Sequence, residues 1–129
     1  PAYHGDWVAA GEPVWLRSPG PNPYSPVHED DLAAQVAPLL DAAATPATIV
    51  NWCGDEVVAA EDWVALFGKH LGIEPRSTYY DLPGSQPGSA ADATKRRSLT
   101  GPCTVDWRNG MLATLDARRR TDPIPNRPT

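Results

Sequence analysis

At 129 residues, with 41% hydrophobic and 21% charged residues, the chain suits one globular domain or one part of a larger fold. Its net charge of −5, without a clustered basic face, excludes the usual electrostatics of nucleic-acid binding. No apolar run approaches the ~20 residues of a membrane span, and no secretory signal is visible.

Residues 3–10 read as a short helix that Gly11 stops. "PVWLR" (13–17) alternates as a strand, with Val14 and Leu16 on one face and Trp15 and Arg17 on the other. "SPGPNP" (18–23) is a turn-rich loop, and "YSPV" (24–27) a short extended piece with Pro26 at an edge. From 29 to about 43 the spacing of Leu32, Val36, Leu39, Leu40 and Ala43 predicts a helix with one apolar face, kinked or split at Pro38. "ATIVNWC" (47–53) is apolar and β-branched on both faces, which predicts a buried strand ended by Gly54.

Residues 59–71 give the clearest helix, with Trp63, Val64, Phe67 and Leu71 as its stripe and Gly72 as its cap. "RSTYY" (76–80) is a third candidate strand, and 82–90 a loop. Helices are expected over about 91–99, ended by Gly101-Pro102, and over about 104–119 despite Gly110. A proline-rich tail, 121–129, is expected to be disordered or draped, which leaves 1–120 as the folded unit. Alternating strands and helices predict an α/β fold, a small sheet with packed helices.

Cys53 and Cys103 are far apart and form no CxxC, so they read as reduced thiols of a cytoplasmic protein. The chain begins at Pro1 rather than methionine, so the gene product is expected to begin further upstream. No glycine fingerprint for a dinucleotide follows a strand, and there is no P-loop and no GxSxG elbow. The three histidines lack metal-ligand spacing. In "VHEDDLA" (27–33) a histidine precedes three acids at a strand-to-helix junction. Successive helical side chains diverge by about 100°, so the cluster does not converge on a metal. The acids instead complement the positive end of the helix, and His28 is expected to pin the junction by bonding to backbone.

Several stretches, in order, resemble the C-terminal part of extended short-chain dehydrogenases/reductases, the NAD(P)-dependent epimerase/dehydratase family. "YSPVHEDDLA" is similar to that family's Arg-Asp-Tyr-Ile-His-Val-x-Asp-Leu-Ala stretch through His28, Asp31, Leu32 and Ala33. "GEPVWL" resembles its Gly-x-Pro strand. Residues 48–75 resemble its strand, Asn, Gly, helix and "LG" succession through Asn51, Glu61, Leu71 and Gly72. "ADATKRRSLTG" resembles an Asp-x-x-Lys…Leu-Gly motif through Asp92, Lys95, Leu99 and Gly101, and "VDWRNGM" a closing helix.

The resemblance implies the substrate-binding C-terminal portion of a Rossmann-type enzyme that lacks its dinucleotide-binding half. It implies a parent oxidoreductase, epimerase or dehydratase using NAD or NADP, a missing N-terminal Rossmann domain as partner, and a small-molecule substrate. A homo-oligomer is compatible with it. The family's catalytic Tyr-x-x-x-Lys is missing, since no tyrosine here has a lysine four residues on. No catalytic or cofactor-binding residue is therefore assigned, no metal is expected, and the chain alone is expected to bind no cofactor.

Two departures bear on substrate. Tyr24 stands where the family's sugar-nucleotide members carry an arginine, and "DLPGSQPGSAAD" (81–92) has no arginine at all. A nucleoside-diphosphate sugar thus loses both of its usual anchors. Trp15, Arg17, Tyr24 and His28 are the candidate substrate contacts. Trp52 and Tyr79 are further candidates for an aromatic cleft, but for Trp52 and Trp63 core packing is the favoured reading. The other functional reading is a stand-alone small-molecule-binding or protein-interaction module without enzymatic activity.

Overall fold

A computed structural model describes residues 2–121. The elements run in the order α1 (Ala2–Ala9), β1 (Val14–Arg17), β2 (Pro23–Tyr24), α2 (Glu29–Asp41), β3 (Val58–Ala59), α3 (Ala60–Leu71), β4 (Ser77–Tyr80), α4 (Thr94–Thr100) and α5 (Trp107–Thr121). β1 pairs in parallel with β4, Val14 opposite Ser77 and Arg17 opposite Tyr80. β2 pairs antiparallel with β3. The expected single small sheet is thus two separate two-stranded ribbons among the described residues.

Alternation in β1 buries Val14 and Leu16 and leaves Trp15 half exposed, as the sequence pattern requires. α3 turns Trp63, Val64 and Phe67 inward against Val8 of α1, Leu115 of α5 and the β1 residues, and this cluster is the core. Burying each such large apolar side chain contributes about 1.5–3 kcal/mol. Gly5 lets α1 approach: a Cβ there would sit 2.7 Å from Leu115 Cδ1. α3 ends on Gly72 in the left-handed conformation at φ 67°.

Two expectations fail. The segment 47–53 forms no strand among the described residues, and Ile49 is 80% exposed. Its composition suits burial on both faces, but no neighbouring strand pairs with it, and an extended chain becomes a strand only through a partner. α2 also turns a different face inward from the one its leucines mark. Its buried residues are Asp31 and Gln35, while Val36 and Leu40 are exposed, Leu40 by 69%. Asp31 is drawn in because it accepts from the backbone N–H groups of Thr104 and Val105, as described below.

Pro38 lies within one continuous helix and does not split it. α4 starts at Thr94, later than expected, because Asp92 Oδ1 accepts from the Thr94 N–H at 2.8 Å. α5 starts at Trp107 because Asp106 Oδ1 accepts from Arg108 N at 3.0 Å, while Asp31 holds the N–H groups of 104 and 105. α5 also includes Thr121, read from sequence as the start of the tail, and residues 122–129 lie outside the described residues. Cys53 and Cys103 are free thiols. No described helix is long and apolar enough to cross a membrane.

Candidate functional site

The stretch from Tyr24 to His28 leads from β2 into α2 and has a concavity on either side. The first, of about 760 Å³, is walled by Tyr24–Val27, by 50–53 and by Ser89 and Ala91, with His4 and Trp63 also lining it. The second, of about 660 Å³, shares Pro26 and Val27 and continues along His28, Glu29, Trp107, Met111 and Arg118.

The walls of the first cleft are held by backbone. Ser89 N donates to Pro23 O at 2.7 Å, and Gly54 N to Ser25 O at 3.1 Å. Ser25 Oγ accepts from Ala91 N at 3.1 Å and donates to Ala91 O at 3.3 Å. A Cβ on Gly54 would lie 1.8 Å from Pro26 O, so only glycine permits this approach.

Aromatic rings line the cleft. Tyr24 packs against Trp63, centroids 5.5 Å apart. His4 is stacked beside Trp63 and Trp7. Trp63 Nε1 donates to His4 Nδ1 at 2.9 Å, which places the proton of neutral His4 on Nε2. Burial lowers the His4 pKa from 6.5 to about 4, so the ring is neutral at physiological pH. Trp52, for which the sequence favours core packing, is instead 46% exposed and lines the cleft, its Nε1 donating to Gln35 Oε1 at 2.9 Å. No lysine, arginine or carboxylate is among the described lining residues. The cleft therefore suits a neutral, planar or apolar group and offers an anion no counter-charge.

Behind the cleft stands a set of buried ionic groups. Arg96 is fully buried on α4. Its guanidinium donates to Cys53 O at 3.1 Å, to Gly101 O at 2.8 Å and to the Asp55 carboxylate. Desolvation pushes the Asp55 carboxyl up, but its hydrogen bonds with Arg96 and Cys103 N outweigh that and hold it below the ordinary value. Asp31 behaves likewise. Desolvation raises it, and hydrogen bonds from Thr104 N and Oγ1, both 2.8 Å, and Val105 N, 3.0 Å, bring it lower. Burial pushes the Cys53 and Cys103 thiols up, so neither is an activated nucleophile.

The four residues singled out from sequence do not share one pocket. Tyr24 lines the first cleft and His28 the second. His28 caps α2, its Nδ1 accepting from Asp30 N at 3.2 Å, as expected from sequence. Trp15 and Arg17 lie on β1 beside Tyr80: Trp15 meets that ring edge-on at 6.0 Å, and Arg17 Cζ stacks 4.3 Å from its centroid. One guanidinium nitrogen of Arg17, Nη1, is buried without a hydrogen-bond partner. Tyr79 is tied to Glu61, its OH donating at 2.9 Å, and does not line either cleft.

Sequence reasoning missed His4, Arg96 and Asn22. Asn22, in the loop read as turn-rich, is buried and holds that loop shut. Its Oδ1 accepts from Arg17 N and its Nδ2 donates to Arg17 O, both at 2.8 Å. A Pro-Asn-Pro string is the one signal that could have marked it. Among the described residues no cluster of histidine, cysteine, aspartate or glutamate could hold a metal.

No protein-family model matches the sequence, and no curated protein does. Solved structures do. UDP-glucuronic acid 4-epimerase from Bacillus cereus, in complex with UDP-glucuronic acid and NAD, superposes with a TM-score of 0.78 at 19% identity, covering 95% of this chain and 40% of that one. UDP-glucose 4-epimerase from Thermus thermophilus, in complex with NAD, gives 0.74 at 20% identity, covering 92% and 39%. An epimerase from Methanothermobacter thermautotrophicus gives 0.73 at 10% identity, covering 92% and 36%. The chain therefore has the α/β fold of one portion of these Rossmann-type epimerases and spans about 40% of the Bacillus cereus chain's length.

Proposed function

We propose that this chain is the substrate-binding portion of an NAD(P)-dependent epimerase, dehydratase or reductase, and that it performs no hydride chemistry by itself. The supporting observation is the superposition of 95% of the chain on an epimerase crystallised with both UDP-glucuronic acid and NAD. The sequence carries neither a dinucleotide glycine fingerprint nor Tyr-x-x-x-Lys. Cofactor binding, NAD or NADP, belongs on this reading to a Rossmann domain outside these residues.

Tyr24 is the substrate contact that the geometry favours, because it forms a wall of the neutral aromatic cleft. Arg17 is retained as a candidate from the sequence, although it lies outside both clefts, stacked on Tyr80 with its Nη1 buried. Trp15 and His28 follow as outlying contacts from the adjoining surfaces. The uncharged cleft lining favours a substrate other than a nucleoside-diphosphate sugar.

Calorimetric titration of the 129-residue chain with NAD, alongside assay of the native-source protein for bound dinucleotide, tests the reading. The expected result is no NAD binding by the chain and released NAD(P) from the native protein. Tyr24→Ala in the native protein is expected to weaken substrate about tenfold, or ~1.4 kcal/mol. NAD binding by the chain alone, or a native protein free of dinucleotide, would overturn it, the latter in favour of a stand-alone binding module.

A further inference from the structure

His4 of α1 is locked in one tautomer by its neighbour. An indole nitrogen can only donate. Trp63 Nε1 therefore fixes His4 Nδ1 as an acceptor at 2.9 Å, and the one ring proton stays on Nε2. A second proton, on Nδ1, would set two donors against each other, so the contact also opposes the charged form. Burial acts in the same direction. The carboxylate of Glu61, whose charge favours protonation of the ring, is spent on the Tyr79 hydroxyl and the Asn22 N–H, both at 2.9 Å.

Among the described residues no hydrogen bond reaches His4 Nε2. Nor is that nitrogen sealed off, since Arg17 Nη1 is the one buried polar side-chain atom there without a partner. His4 lines the first cleft, so Nε2–H is the polar group its ring offers to whatever enters. The other ring N–H groups of the lining are taken: Trp63 Nε1 by His4, and Trp52 Nε1 by Gln35. The hydroxyls of Tyr24 and Ser89 rotate to donate or to accept and so select neither. Nε2–H has no such freedom.

We infer that His4 is a specificity-determining residue of this cleft, a fixed uncharged N–H that selects planar, neutral ligands carrying a carbonyl or ring-nitrogen acceptor. A ligand that presents a donor there leaves both donors unpaired. A carboxylate can accept the hydrogen bond, but the lining holds no counter-charge to offset its desolvation. The inference rests on the reading of this cleft as the substrate site. The locked tautomer itself does not depend on it.

The test uses the native-source protein, isotopically labelled at its histidine and tryptophan ring nitrogens, and three probes of one shape: benzamide, the benzamidinium cation and benzoate. Nitrogen NMR should show His4 as the Nε2–H tautomer. Benzamide should shift that resonance to saturation, and the two ions should bind at least about tenfold more weakly. His4→Phe keeps a ring and removes the donor, and should weaken benzamide about tenfold, read on the Trp52 indole resonance in the same cleft. His4→Gln, whose amide can accept from Trp63 and donate into the cleft, should retain benzamide. A His4 that is doubly protonated, or protonated on Nδ1, overturns the proposal. So does a His4 resonance that benzamide leaves unmoved, equal binding of the three probes, or unchanged affinity in His4→Phe. If His4→Phe does not fold, the three-probe comparison on the unsubstituted protein decides. Selective benzamide binding at His4 by a native protein free of NAD(P) leaves this inference standing and removes the dinucleotide reading. A protein that holds NAD(P) but shows no preference for benzamide does the reverse.

Discussion

The two flanks of the molecule are held together by different physics. On one, α1, α3, α5 and β1 share an apolar core of Val8, Val14, Leu16, Trp63, Phe67 and Leu115. On the other, α2, α4 and the segments 47–55 and 101–105 meet around Asp31, Gln35, Asp55 and Arg96, with few buried apolar side chains. Apolar burial is roughly additive and tolerant of substitution, because it needs area rather than direction. A buried ionic set is neither, because each member's desolvation is offset by one particular partner. The candidate cleft lies between the two, with Trp63 from the first flank and Trp52 and Cys53 from the second.

The largest expected effect breaks the apolar side. Phe67→Ala should cost about 3–5 kcal/mol in urea denaturation and lower the stability of the whole chain in one transition. On the ionic side, Arg96→Met should cost about 3 kcal/mol, because the Asp55 carboxylate loses its main partner. Its signature should differ: limited proteolysis should open 47–55 and 101–105 before the core. A single global transition for both variants would erase the distinction between the flanks.

Asp31→Ala should cost about 1–3 kcal/mol, since it strands the Thr104 and Val105 N–H groups. The effect of pH divides the flanks again. The His4 pKa is about 4 in the fold against 6.5 unfolded, so the unfolded chain takes up a proton first as pH falls. His4 stability is present above pH 6.5 and is lost between 6.5 and about 4. The depressed carboxyls of Asp31 and Asp55 act in a lower window, their stability present above 3.8 and lost below it. Thermal melts of the unsubstituted chain and of a His4→Gln variant should therefore differ in their pH dependence only between about pH 6.5 and about pH 4. The smallest effect belongs to the exposed helix face. Leu40→Gln should change the isolated chain's stability by less than about 0.5 kcal/mol.

Local chemistry was legible wherever it acts within a few residues. Gly11, Gly72 and Gly101 stop helices as read, the alternation of "VWLR" puts Val14 and Leu16 inside, and His28 caps its helix. The stripe of α3 was legible because three of its residues reach one core. The inward face of α2 was not. Apolar spacing marked Leu32, Val36 and Leu40, but the buried positions are Asp31 and Gln35, whose partners lie at Thr104, Val105, Trp52 and Cys103.

The sequence by itself determined the α/β character and the glycine stops at Gly11, Gly72 and Gly101, since φ/ψ preference and side-chain shape are properties of single residues and near neighbours. Tertiary structure alone decided which faces are buried, that His4 is neutral beside Trp63, that Arg96 lies in the interior, and that Tyr24 and His28 face different clefts. Those outcomes depend on distant partners, such as Asp31 and Val105, 74 residues apart, and no short-range pattern encodes which distant donor meets which acceptor.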